Sequence, residues 1–193
     1  MVRNVARSVS PGCVVVYPNR EKATSKSTKS LVVLLLLVSV GLMLIVTVGG
    51  WSKLAGLKAL DLVWCAVYLI LAYYVGARWS RGGLTLSAAL GILLLIVAVI
   101  AGTGLAGTSW FDRNAYGFAA PHTIFGGKGL GPDVLGLFTV LLIPVQALLI
   151  GVAMVGFSQS WNIETEAPIE EARKRGYRVP PGAGTPPPKP AAA

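Results

Sequence analysis

The stretch SLVVLLLLVSVGLMLIVTVGGWS, Ser30 to Ser52, contains no charged residue. An α-helix needs about 20 predominantly apolar residues to cross the hydrocarbon of a bilayer, and this run supplies them. Two more runs without charge follow, Gly82 to Phe111 and Val134 to Ser160. A fourth, Ala59 to Ala77, is bracketed by Lys58 and Arg78 and carries Asp61 near one end. Only 16 uncharged residues follow that aspartate, but with Asp61 at the interface and three tyrosines along the run it still reaches across. These runs predict spans at 31–51, 59–78, 84–104 and 134–158.

Charged residues make up 13% of the 193-residue chain, against about 25% in a soluble domain. A chain this short cannot wrap several such helices in water-facing layers. The expected fold is therefore an all-α integral membrane protein with four transmembrane helices in an antiparallel bundle. Its first partner is the lipid bilayer. The runs do not read as cleavable signals, because the first follows a 30-residue polar lead. The SPGC stretch at Ser10–Cys13 has no apolar segment before it, so lipidation at Cys13 is not expected.

All but four of the 17 lysines and arginines fall on the two tails or on the link carrying Arg78 and Arg81; the exceptions are Lys53, Lys58, Arg113 and Lys128. Basic residues near span ends stay in the cytoplasm. Both termini are expected there, with the loop at 105–133 facing outward. No eukaryotic sorting signal is evident, so a multi-pass protein of the plasma membrane, the bacterial inner membrane, is expected. The net charge of +9 is then a topology signal facing anionic lipid, and no nucleic-acid partner is expected. Trp51, Trp79, Trp110 and Trp161 lie at predicted span ends and read as anchors in the headgroup zone.

At helical spacing each span shows a stripe of small or polar side chains. Ser39, Met43 and Thr47 mark the first, Asp61, Cys65 and Tyr68 the second, Ser87, Gly91 and Gly102 the third, and Thr139, Gln146 and Ala153 the fourth. Such stripes let helices approach closely in lipid. The candidate interhelical polar residues are Asp61, Gln146, Pro144, Ser39 and Thr139. Pro144 and Gln146 sit mid-span, where a kink and an amide read first as packing and second as a substrate or ion path. Asp61 suits the start of a helix, where negative charge favours the dipole.

The catalytic inventory is sparse. No span holds a histidine, no CxxC occurs, and His122 is the only histidine in the chain; haem ligation, thiol–disulfide exchange and a clustered metal site all lack their parts. GGKGLG at Gly126–Gly131 departs from the phosphate-loop pattern, with His122 where a glycine is needed and Gly129 where a hydroxyl is needed. No cofactor is expected.

The loop SWFDRNAYGFAAPHTIFGGKGLGPD, Ser109–Asp133, is too aromatic for a solvated linker. It is expected to form an ordered cap, with Tyr116, Phe118, His122 and Phe125 as candidate outer contacts. Residues 1–30 are expected to be a basic disordered tail, with at most a brief extended stretch at CVVVYP. Residues 31–158 form the membrane domain. Residues 159–193 form a second tail, with a two-turn helix starting at Pro168 and stopping at Gly176 and an extended proline-rich end. Glu170–Lys174 and Glu171–Arg175 support that helix at i,i+4. The function expected from this inventory is that of a non-catalytic accessory or scaffold subunit, contacting partner membrane subunits. A small homo-oligomeric carrier or channel is the alternative, and an enzyme of lipid chemistry the weakest reading.

Overall fold

Where no water is available, a chain satisfies its backbone by coiling, and each apolar run forms one long helix over most of its described length. The computed structural model describes residues 10, 12–54, 57–103, 109–115, 121–177 and 179. In chain order the elements are β1 (Cys13–Val16), α1 (Pro18–Glu21), α2 (Ala23–Gly49), a 3-10 turn (Trp51–Lys53), α3 (Leu57–Arg78), α4 (Arg81–Thr103), α5 (Trp110–Ala115), α6 (Pro132–Ser158), β2 (Thr165–Pro168) and α7 (Ile169–Lys174). The helices α2, α3, α4 and α6 are long and apolar enough to cross a membrane. At 27 residues, α2 is about 40 Å long. It begins eight residues before the span read from the sequence, because Lys26 and Lys29 bound what can lie in hydrocarbon, not what can be helical.

α6 packs against α4 and α2, and α2 against α3, while α3 and α4 meet only lightly. The small and polar stripes face the interior, with Ser39, Thr47, Tyr68, Ser87, Gly91, Thr139, Gln146 and Ala153 all buried, beside aliphatics such as Leu36, Leu84 and Leu149. Leucines, isoleucines and valines such as Leu34, Ile70, Leu93 and Leu148 point outward. Lipid is as apolar as leucine, so close backbone approach does the packing that hydrophobic burial does in water. A methyl group on Gly102 would meet Val140 Cγ2 at 3.0 Å, and one on Gly91 would meet Ile150 Cγ1 at 3.1 Å.

Only Trp79 and Ser80 join α3 to α4. Trp79 is left-handed, with φ of 53°, and the Ser80 N–H reaches back six residues to donate to Tyr74 O at 3.2 Å, satisfying one carbonyl of the last turn. Ser80 Oγ then accepts the Gly83 N–H at 3.1 Å, capping α4. A large residue in this conformation costs about 1–3 kcal/mol, and Trp79 is held by its surroundings. Its ring lies edge-on to Trp161, with centroids 5.1 Å apart, and the Lys29 ammonium sits 4.0 Å from its centroid.

The tails differ from the expectation. Residues 13–30, read from composition as part of a disordered tail, form β1, α1 and the start of α2. β1 pairs antiparallel with β2, Cys13 opposite Pro168 and Val16 opposite Thr165. Val14, Val16 and Ala172 are buried between this ribbon and α7, with Ile169 and Tyr177 packed around them. Alternation in CVVV buries one face of β1, and the partner strand lies about 150 residues away, beyond any local sequence signal. The fold thus adds a two-stranded ribbon to the all-α bundle. α7 is shorter than expected because Pro168 ends β2; the Glu171–Arg175 ion pair forms at 2.7 Å. The proline-rich end from residue 180 lies outside the described residues.

At the opposite, loop end, Ser109 and Asp112 cap α5 reciprocally: the Asp112 N–H donates to Ser109 Oγ, and the Ser109 N–H to Asp112 Oδ2, each at 3.1 Å. Residues 121–131 dock on the end of α2. The Ser52 N–H donates to His122 O at 3.1 Å and the Leu130 N–H to Gly49 O at 3.1 Å, while the His122 N–H donates to Ser52 Oγ at 2.8 Å. A Cβ on Gly129 would overlap the carbonyls of Gly49 and Pro121. Gly129→Ala is therefore expected to release this loop, since overpacking of about 1–3 kcal/mol falls on its local opening. Trypsin cleavage after Lys128 in the intact membrane protein should accelerate in the variant; equal rates would mean that the loop is not docked.

Candidate functional site

The candidate residues of the membrane domain fall into two groups. Gln146 and Ser39 come together in the first. The Gln146 amide donates from Nε2 to Ser39 Oγ at 2.7 Å, Ser39 Oγ donates to Leu35 O at 2.7 Å, and Tyr68 Oη donates to Gln146 Oε1 at 2.9 Å. All three side chains have zero exposure. This knot ties α6 to α2 and α3. Tyr68 stood in the sequence stripe, but its role as the acceptor's partner did not, because tyrosine in a membrane span reads first as an interfacial ring. Pro144 is absent from the knot. It is exposed while Gln146 is buried, since two residues along a helix turn the side chain by about 200°. The two do not share a path-lining face, and α6 continues unbroken through Pro144.

Asp61 and Thr139 come together in the second group, around a cavity of about 240 Å³ nearer the loop end. Met43 and Val46 of α2, Leu57 and Asp61 of α3, Leu94, Val97, Ala98 and Ala101 of α4, and Thr139 and Leu142 of α6 form its walls, with Leu54 and Trp110 closing it. Asp61 Oδ2 accepts a hydrogen bond from Thr47 Oγ1 at 3.3 Å. The Thr139 hydroxyl is turned to its own helix, donating to Leu135 O at 2.8 Å. The lining is otherwise apolar, so the Asp61 carboxyl is its chief chemical handle.

Trp110 and Trp161, read from the sequence as headgroup anchors, are core residues, 5% and 0% exposed. The short segments that follow α4 and α6 fold back over the bundle ends and carry them inward. Trp161 Nε1 donates to Gln159 Oε1 at 2.9 Å, and Gln159 Nε2 donates to Thr28 Oγ1 at 2.9 Å. Arg20 Nε donates to the Trp161 carbonyl at 2.8 Å. Trp51 keeps a peripheral place, with Lys58 Nζ 4.8 Å from its ring centroid.

Of the outer-loop candidates, His122 lends its backbone to the docking on Ser52, and its side chain is exposed. Phe125 stands 88% exposed at the tip of the turn that joins the His122–Lys128 bridge. Tyr116 and Phe118 lie outside the described residues. No group of three or more His, Cys, Asp or Glu side chains placed to hold a metal occurs among the described residues. No protein-family model, curated protein or solved structure matches the chain.

Removing the shared amide tests the knot. Gln146→Leu should destabilise the protein by about 1 kcal/mol, the scale of interhelical hydrogen bonds in membranes. Tyr68→Phe should cost less in that background than in the wild type, with a coupling of about 0.6 kcal/mol. Reversible unfolding in mixed micelles measures all four corners of the cycle; zero coupling would mean that Tyr68 and Gln146 do not interact.

Proposed function

We propose that the chain is a non-catalytic accessory or scaffold subunit of a membrane complex. The architecture proposed with it is an antiparallel four-helix bundle in the plasma membrane, a bacterial inner membrane, with both termini cytoplasmic. The observation that carries the functional reading is the engagement of the one mid-span amide at both ends: Gln146 donates from Nε2 to Ser39 and accepts at Oε1 from Tyr68. A carrier or channel with its path near Pro144 and Gln146 needs that amide free to meet solute or water. Structure is spent instead on the two ends. The loop end holds a hydrogen-bonded turn that lifts Phe125 into the open, and aromatic rings so placed are common anchors for a partner. The tail end joins both tails in the β1–β2 ribbon.

The orientation is supported by charge and contact together. Arg20 and Asn19, from the N-terminal segment, hold the carbonyls of Trp161 and Ser160. Arg81 donates to Asn162 Oδ1 and Phe157 O at 2.8 and 2.9 Å. Both tails and the α3–α4 link thus share one basic end, the end that cytoplasmic retention favours.

Two measurements on the same preparation test the proposal. In a background lacking Cys13 and Cys65, Phe125→Cys should react with an impermeant thiol reagent on intact cells, and Lys174→Cys only after the membrane is opened. The reverse pattern overturns the orientation. Gentle detergent extraction should return the chain with a second membrane protein in fixed stoichiometry; a homo-oligomer alone overturns the scaffold reading.

A further inference from the structure

The geometry points to the Asp61 cavity as a binding site for a small organic ammonium with an apolar body, entering from the membrane. Three observations on this cavity converge. Its walls come from all four long helices and are apolar save for Asp61 and Thr139, so the body of an occupant is hydrophobic. Among the described residues no lysine or arginine forms an ion pair with Asp61; Lys58, one turn away, reaches over Trp51 instead. Thr47 gives the carboxyl one long hydrogen bond, which leaves most of its acceptor capacity unused. A carboxylate beside hydrocarbon is costly unless a cation meets it.

Size and access narrow the class. A cavity of 150 Å³ holds a benzene ring, so about 240 Å³ has room for an aryl ring or short alkyl body with an aminoalkyl arm, on the order of ten heavy atoms. The entrance follows from the light contact between α3 and α4. Leu57 and Val97 line the cavity and are also open to the surroundings, each 54% exposed. A hydrophobic amine dissolved in the bilayer meets this lateral gap directly. Among the described residues the lining has no arginine or lysine for a phosphate, which favours a free amine over the headgroup of an aminophospholipid. The scaffold reading neither requires this site nor forbids it.

The test uses the full chain in lipid nanodiscs and equilibrium binding of 2-phenylethylammonium, its neutral isostere propylbenzene and the anion 3-phenylpropionate. In the unaltered protein the ammonium should bind most tightly and the anion most weakly. Asp61→Asn should weaken the ammonium about tenfold and leave propylbenzene unchanged, which also shows that the cavity persists in the variant. Ala98→Phe, filling the cavity, should weaken both. Anion binding as tight as the ammonium's overturns the proposal without any variant, as does ammonium affinity indifferent to Asp61→Asn. Discs with and without phosphatidylethanolamine separate the two sources of an ammonium. Equal probe affinity supports a free amine, and competition by that lipid overturns the free amine in favour of a headgroup.

Discussion

A bilayer offers Gln146 no water. Its amide has an acceptor and two donors, and in hydrocarbon an unpaired amide costs several kcal/mol on transfer scales. Ser39 and Tyr68 meet it from two other helices, so α2, α3 and α6 are fixed at one depth and in one rotation. Ser39 is itself completed by the Leu35 carbonyl, which ends the chain of hydrogen bonds inside the bundle. Without this tie the middle of the bundle would rely on van der Waals contact, which differs little from contact with lipid, and the helices would be pinned by hydrogen bonds only nearer their ends. The α4–α6 contact solves the same problem by shape: Gly91 and Gly102 admit Ile150 and Val140 to the helix backbone.

The two ends complete what the knot begins. At the tail end, Trp161 fills the bottom of the core, held by Arg20 at its carbonyl, by Trp79 at its ring and by Gln159 at its indole N–H, with Gln159 in turn tied to Thr28. At the loop end, Trp110 and Leu54 close the top and residues 121–131 are stitched to Gly49 and Ser52. Between them the α3–α4 contact is the lightest between helices that lie side by side, and there the Asp61 cavity opens. The proposed scaffold function rests on the knot in the middle of the bundle and the proposed ligand on the side cavity, so the two readings draw on different parts of the fold.

How much of this was legible in the sequence follows from the range over which each signal acts. Missing charge is a local signal, and it located the four long helices. Helical spacing placed Ser39, Tyr68 and Gln146 on inward faces, but which of them would meet depends on the relative depth of three helices, which no single span encodes. The same spacing argument separates Pro144 from Gln146, two residues apart and on different faces. The β1–β2 ribbon was illegible because each strand has four residues and the pairing spans most of the chain. Trp110 and Trp161 were misplaced because position along the chain, near a span end, does not reveal whether the next segment folds back over the core.

The most direct measurement is the water contact of the Gln146 side chain, read by solid-state NMR on the amide-labelled protein in bilayers. A dry amide, with through-space cross-peaks to the Tyr68 ring and the Ser39 side chain and no magnetisation transfer from water, is the expected result. A strong water cross-peak at that amide, with no contact to Tyr68, would mean that the core is open, and would contradict the closed bundle from which the rest is derived.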